Sequence, residues 1–330
     1  MKSILSGLLL AFMSNQIYAA VTCGTSTSTL PNLNSIYKSG EFRIFYSSNS
    51  SNADYIPNQT DLNNNDIPDY VENVAIQANA TTEALTSLGF VHPLNSDRYA
   101  GAAEYIDIHL TALSGNGIAY ENPSIFVNKQ TKEGKCALNI YIRNNIESFP
   151  GNYWTTVTHE IFHLYQYGYN QFKGSWYLEG MTNWAERVLR LGTQGGDGLT
   201  QLPDDQDSLT ANVYNLAYNQ MWHRLAVLSD KTNGQLNLSP NLVNRTYIDG
   251  TKVFKDDKLK GYLFIKKTLE NLKIKSDQIS IQNGWNPHNW NENDQSNLSN
   301  RPYMLKAIQD SMLQFGMNQT TEEQKFLLLQ

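Results

Sequence analysis

The sequence predicts an α+β fold, and three observations predict it. Alternating apolar segments fall early in the chain, at 41–47, 105–110 and 137–143. From residue 154 onward the apolar spacing changes to a helical period. No segment repeats, so a solenoid or propeller is excluded. In 41–47 (EFRIFYS), Phe42, Ile44 and Tyr46 share one face of a strand. A helical pattern over 69–88 follows, and Gly89 ends it. The segment 105–110 (YIDIHL) reads as a second strand, and Gly115 to Gly117 as a turn. In 137–143 (ALNIYIR), Leu138, Ile140 and Ile142 mark a third strand. Helices are then expected at 154–167, stopped near Gly168, and at 176–191, stopped at Gly192. Further helices read at 210–229, 258–272 and 302–314. The organisation is a leader (1–20), a half with the sheet and motif helices (21–200), and a helical half that completes a cleft (201–330).

Composition excludes several functions. Among 330 residues, 17% are charged and 11% aromatic, including 19 Tyr, which argues against disorder. Net charge is −6 and no basic block exists, so nucleic acid is not an expected partner. Past the N-terminus there is no apolar run long enough to span a bilayer, so no stable membrane span is expected.

Met1 and Lys2 open the chain, an apolar stretch runs over 4–13, and small residues stand at Ala19 and Ala20. That is the pattern of a secretory signal peptide, and it places the protein outside the cytoplasm, secreted or periplasmic. Thr22 before Cys23 makes a poor lipidation site. The only two cysteines, Cys23 and Cys136, are expected to bridge in an oxidising compartment; two buried free thiols are the alternative.

The strongest chemical signal is His159-Glu160-Ile161-Phe162-His163. On a helix, positions four apart share a face, so both imidazoles can bind one metal ion. Glu160 follows the first histidine and can reach a water on the open side of that ion. This is the arrangement of a zinc hydrolase, whose metal acidifies the water while the carboxylate takes its proton. A third donor is needed, and Glu179 lies 16 residues after His163. The stretch around 168–175 is long enough for an antiparallel return that brings Glu179 back to the histidines. Glu179 also sits among Trp176, Leu178 and Met181, where an unpartnered carboxylate is costly. Glu186, seven residues on, can accept a hydrogen bond from a ligand imidazole and fix its tautomer.

The motif followed by Trp176-Tyr177-Leu178-Glu179-Gly180-Met181-Thr182-Asn183-Trp184-Ala185-Glu186 resembles the gluzincin metallopeptidases over about residues 154 to 190. The resemblance implies a zincin-like fold, zinc as cofactor, and Glu179, the Glu before Gly, as third ligand. Thr182 stands where that family commonly has Ala. The spacing from His163 to Glu179 is shorter than in the aminopeptidase branch, so that branch's substrate preference is not carried over.

A second signal is the Asp/Asn loop. Asp61, Asn63, Asn65, Ile67, Asp69 and Glu72 fall at positions 1, 3, 5, 7, 9 and 12 of a twelve-residue stretch, the oxygen-donor spacing of an EF-hand-type calcium site. Asp66 replaces the usual Gly and Pro68 follows at position 8, while the neutral asparagines point to weak binding, suited to extracellular calcium. An Asn-rich surface turn that caps the helix at Asp69 is the alternative. The string Asn65-Asp66-Ile67-Pro68-Asp69-Tyr70-Val71-Glu72 also resembles a segment of a loose set of secreted bacterial proteins classed as metalloproteases. Those proteins then carry a YDI-type strand, a Gly-rich turn and the motif helix. This chain has each in order, over about residues 41 to 230.

A peptidase also needs a donor for the developing oxyanion. Tyr214, Tyr218 and His223 are the candidates, with the two tyrosines one turn apart if 210–229 is a continuous helix. His92 and His109 read as structural or surface residues. The strand at 137–143 is the candidate edge for pairing with an extended peptide substrate. The expectation is therefore a secreted zinc metallopeptidase acting on a peptide or protein. Its rivals are a binding or adhesion module with structural metals, and a zinc hydrolase of a non-peptide amide or ester. The sequence sets no oligomeric state.

Overall fold

Strand alternation builds the centre of the sheet. In the computed structural model, which describes residues 20–26, 33–126, 134–151, 154–189 and 201–330, the three expected strands are β3 (Phe42–Tyr46), β4 (Tyr105–Thr111) and β6 (Ala137–Arg143). Their parallel register aligns Phe42, Ile106 and Leu138 in one row and Ile44, Ile108 and Ile140 in the next. All six are fully buried. The opposite face of these strands is covered too: Arg43 donates from Nε and Nη2 to the two carboxylate oxygens of buried Asp107, at 2.6 and 2.9 Å. Removing either partner would strand a buried charge, at a cost of about 3–5 kcal/mol.

Three further strands, β1 (Gly24–Ser26), β2 (Ser35–Ser39) and β5 (Gly117–Phe126), complete a sheet of order β1-β5-β6-β4-β3-β2. The β2/β3 and β5/β6 pairs are antiparallel and the others parallel. The fold is α+β, with a mixed sheet and ten α-helices among the described residues. One expectation is overturned here. The strand β6 lies between β4 and β5, so it is no edge. The strand nearer the edge is β5, which follows directly on the Gly115–Gly117 turn. Its Glu121-Asn122-Pro123 stretch includes a proline, which cannot donate to a ladder. A register shift between Tyr120 and Ser124 accommodates it. Because β1 pairs only with Ser124–Phe126, the part of β5 before that has no strand on its outer side among the described residues.

Helix α1 (Asp69–Ser87) packs near β2 and β3, and α2 (Thr156–Tyr169) lies across β5 and β6. Gly168 is inside α2 rather than its stop, because the absent side chain admits Ser96 of a neighbouring turn. The chain leaves the helix at Asn170, in extended backbone. A short connection leads to α3 (Ser175–Ala185), which passes into a 3-10 turn at Glu186–Val188. The expected helix end at 191 and its stop at Gly192 lie outside the described residues, as does the leader apart from Ala20.

The helix expected over 210–229 is broken. A short α4 (Gln206–Leu209) runs into a π-turn at Thr210–Tyr214, and α5 (Met221–Ser229) starts anew. Asn219 causes the break: its amide donates to the carbonyls of Leu216 and Trp176, and its Oδ1 accepts the Met221 N–H. The remainder comprises α6 (Pro240–Val243), α7 (Tyr262–Asn283), α8 (Glu292–Gln295), α9 (Arg301–Gln314) and α10 (Thr321–Leu327). The α7 helix runs well past the expected residue 272 and ends at left-handed Gly284.

Cys23 and Cys136 form a disulfide across 113 residues, tying β1 to the start of β6. Closing a loop of that length stabilises the fold by about 4–5 kcal/mol in the chain-entropy account. No helix among the described residues is long and apolar enough to cross a membrane.

Candidate metal centre and cleft

Helical spacing and a short return bring the donors together. His159 and His163 project from one face of α2, with ring centroids 4.8 Å apart. The connection to α3 turns the chain back, and Glu179 meets both rings. His159 Nε2 is 3.0 Å from Glu179 Oε2, and His163 Nε2 is 3.6 Å from Glu179 Oε1. Ligand atoms of the three residues lie within 4.8 Å of one another, and they form the one such group of His, Cys, Asp or Glu among the described residues. On its other side α3 packs closely on the start of α5 at Gly180, where a Cβ would stand 2.7 Å from Asn219 Nδ2 and 2.8 Å from Trp222 Cδ1.

The far side of each imidazole is held. His159 Nδ1 is 2.6 Å from Glu186 Oε1, whose other oxygen accepts the Thr155 hydroxyl at 2.7 Å. His163 Nδ1 is 2.9 Å from Gln166 Oε1, and Gln166 is itself anchored by donating to the Tyr177 and Leu178 carbonyls. At His163 the oxygen acceptor at Nδ1 assigns the ring proton there and leaves Nε2 with a lone pair; His159 has a carboxylate oxygen at each ring nitrogen. Burial and the neighbouring His159 charge hold His163 down to about 4, so its ring is neutral. Its Nε2 lone pair therefore faces a carboxylate oxygen, an electrostatic arrangement that a cation between them resolves. Burial disfavours charge on His159 as well, but its bonds to Glu179 and Glu186 prevail and raise it to about 10. Burial likewise pushes Glu179 up, yet the hydrogen bond from His159 and the two imidazoles outweigh it and hold the carboxyl below its ordinary value. Two imidazole nitrogens and one carboxylate, each oriented from behind, fit a divalent metal ion.

No protein family, curated protein or solved structure matches this chain.

Glu160 lies beside the metal-ligand group, 5% exposed, and accepts a hydrogen bond from the Ala119 N–H of β5. Burial, with Glu179 and Glu186 adding and His159 opposing, pushes its carboxyl up to about 7. A cleft of about 340 Å³ opens in front of it, walled by Trp154, Thr155, Glu186 and Tyr218 and by the backbone at Gly117. Tyr218, more than half exposed, sets its ring 6.4 Å from His159 and donates its hydroxyl to Glu179. Burial and then the Glu179 charge raise it to about 12, so the phenol keeps its proton.

Tyr214 is placed elsewhere. The break at Asn219 removes the shared face expected of the two tyrosines, and Tyr214 is buried against Trp176, with the Arg301 guanidinium 4.5 Å over its ring. His223 lies 3.0 Å from Arg187 Nη1, and burial plus that guanidinium lower it to about 4. His92 bonds Glu41 at 2.8 Å, and His109 is buried among Phe45, Phe126 and Tyr141.

In the Asp/Asn loop, Glu72 reaches back from the first turn of α1 and meets the Asn63 and Asn65 amides, at 3.0 and 2.9 Å. Asp61 accepts the Asn65 and Asp66 N–H groups. Asp66, at the position where an EF-hand carries glycine, takes the left-handed φ of 66° itself. Asp69 turns its carboxylate to the Leu62 N–H, and Ile67 packs its side chain on the core. The loop thus gathers Asp61, Asn63, Asn65 and Glu72 and leaves Asp69 as a turn-closing acceptor.

Sequence reasoning missed Thr155, Gln166, Thr182 and the backbone of β5. Gln166 is three residues after His163, a spacing that places it on the ligand face. Thr182, whose hydroxyl donates to Gln166 Oε1 at 3.0 Å, lies one turn along from Glu179 in the same way. Nothing in the sequence marks Thr155, which meets Glu186 only in the folded chain.

Proposed function

We propose that the protein is a secreted zinc-dependent peptidase of zincin-like architecture, with His159, His163 and Glu179 as metal ligands and Glu160 as general base. The observation that carries this reading is the convergence of two imidazole Nε2 atoms on the Glu179 carboxylate, with a buried carboxylate of raised pKa alongside. The bound ion would supply Lewis acidity, polarising a scissile carbonyl and acidifying a water. Glu160, buried beside the ligands and facing the cleft, would take the proton of the attacking water and return it to the leaving amine. Tyr218, whose hydroxyl reaches Glu179 at the edge of the cleft, would donate to the oxyanion. Glu186 and Gln166 hold the two imidazoles in the tautomer that leaves Nε2 free to bind.

The peptide backbone would pair with the open side of β5 at Gly117–Tyr120, which takes the place of β6 as the docking strand. The bridged Cys23–Cys136 pair accords with an oxidising compartment. We also propose calcium for the loop from Asp61 to Glu72, supported by the meeting of Glu72 with Asn63 and Asn65.

The test is hydrolysis of unstructured protein by the purified chain, alongside Glu160→Gln and a chelator-treated sample. The reading expects activity in the first alone, with zinc still bound by Glu160→Gln. Hydrolysis that survives both treatments would contradict it.

A further inference from the structure

The Glu160 carboxylate is packed directly on the backbone of Gly117. A Cβ built on Gly117 would lie 2.6 Å from Glu160 Oε1, 2.7 Å from Cγ and 2.9 Å from Cδ. Carbon atoms do not approach that closely, so any side chain at 117 must displace Glu160. The backbone itself makes no such demand. Gly117 is not among the glycines of left-handed φ, so an alanine could adopt its conformation without strain. Two residues earlier, Gly115 has nothing within 4 Å of its Cβ position. The hollow at 117 is therefore specific to the carboxylate it receives.

Displacement has few directions open. Glu160 is buried, and on the strand side it is held by the Ala119 N–H. Glu179 and Glu186 act on it as like charges from the metal side. A methyl group at 117 would push the carboxylate off the Ala119 N–H while leaving His159, His163 and Glu179 untouched. Misplacing a catalytic group by about 1 Å costs on the order of 100-fold in rate.

We propose that Gly117 is a positioning residue for the catalytic base: its missing side chain and the Ala119 N–H form a seat on β5 that fixes where Glu160 delivers and receives the proton. The proposal rests on the peptidase reading for its effect on rate, and on geometry alone for the contact. It makes β5 both the docking strand and the support of the base, so base position and substrate register are set by one segment of backbone.

The test is a double-mutant cycle of Gly117→Ala with Glu160→Asp, whose carboxylate is shorter by one methylene. Gly117→Ala is expected to lower kcat about 100-fold, with KM and bound zinc within about threefold of wild type. In the Glu160→Asp background the same change should cost less than about threefold, because the group it would displace is already withdrawn. A kcat within threefold of wild type for Gly117→Ala, or an equal loss in both backgrounds, overturns the proposal. The contact is read separately from thermal midpoints. Gly117→Ala should lower the midpoint, and Glu160→Ala, which clears the overlap, should make the same change neutral. Additive midpoints overturn the proposal whether or not peptide is cleaved. If Gly117→Ala fails to fold, recovery of folding in Gly117→Ala/Glu160→Ala supports it, and equal failure overturns it. A wild type that binds zinc yet cleaves no peptide overturns the peptidase reading and leaves the midpoints to decide.

Discussion

Replacing Glu186 by alanine separates the metal ligands from the groups that orient them. Glu186 accepts from His159 Nδ1 at 2.6 Å and from the Thr155 hydroxyl at 2.7 Å. Its loss frees the His159 ring to turn and to change tautomer, without removing any atom that would touch the metal. Losses of this kind weaken metal binding about 10- to 100-fold, or about 1.4–2.7 kcal/mol. Thr155, only 5% exposed, is left with an unsatisfied hydroxyl, which costs the fold about a further 1–3 kcal/mol. Glu179→Ala removes a donor atom itself and should weaken zinc more than Glu186→Ala does. Glu186→Gln should fall between wild type and alanine, because one amide oxygen can serve the imidazole or the hydroxyl but not both as before. The assay is zinc affinity by chelator competition on all four proteins, with circular dichroism to confirm the fold. Unchanged affinity in Glu186→Ala, or a greater loss there than in Glu179→Ala, would refute the division of roles.

Three other outcomes are expected. Calcium should raise the unfolding midpoint of the purified chain, by an amount equivalent to about 2.7 kcal/mol when free calcium is a hundred times its dissociation constant; Asp61→Ala or Glu72→Ala should abolish the dependence while Glu160→Gln preserves it, and no shift up to millimolar calcium would return the loop to a simple helix-capping turn. Cys23→Ala/Cys136→Ala should destabilise the chain by about 2–5 kcal/mol in denaturant titration, since the bridge spans 113 residues; a loss below 1 kcal/mol would contradict the constraint assigned to it. Glu121, which burial pushes up but the bonded Arg98 and Lys173 cations hold below the ordinary glutamate value, contributes stability that is present above that value and lost as pH falls through its folded pKa. Glu121→Gln should therefore lower the midpoint at pH 7, and its deficit should shrink below about pH 4.5; a deficit that grows in acid would contradict the ion pairing.

Much of the centre was legible because its determinants are local. The i, i+4 spacing of His159 and His163 alone places them on one face of α2, and the few residues of extended chain before α3 oblige Glu179 to return beside them. Glu186 reaches His159 from a 3-10 turn rather than from the same α-helical face. The residues that escaped depend on contacts distant in sequence. The strand β5 contains Glu121, Asn122 and Pro123, and only pairing with β6 makes it a strand. With no strand read between the Gly115–Gly117 turn and residue 137, β6 looked like the edge. Tyr214 and Tyr218 fit one helix face until the Asn219 side chain, competing for backbone groups, breaks the helix between them. Thr155 carries no local pattern, and Gly117 reads only as the end of a turn; each meets its carboxylate through the fold.

The central claim is that His159, His163 and Glu179 hold one zinc ion. X-ray absorption at the zinc edge, on the purified chain, is the measurement that bears on it. One zinc per chain is expected, with two imidazole nitrogens and oxygen donors at about 2.0–2.2 Å and no sulfur ligand. The same spectrum should lose its carboxylate and imidazole signature in a Glu179→Ala/His163→Ala chain. A chain that takes up no zinc, or a spectrum unchanged by those substitutions, would contradict it.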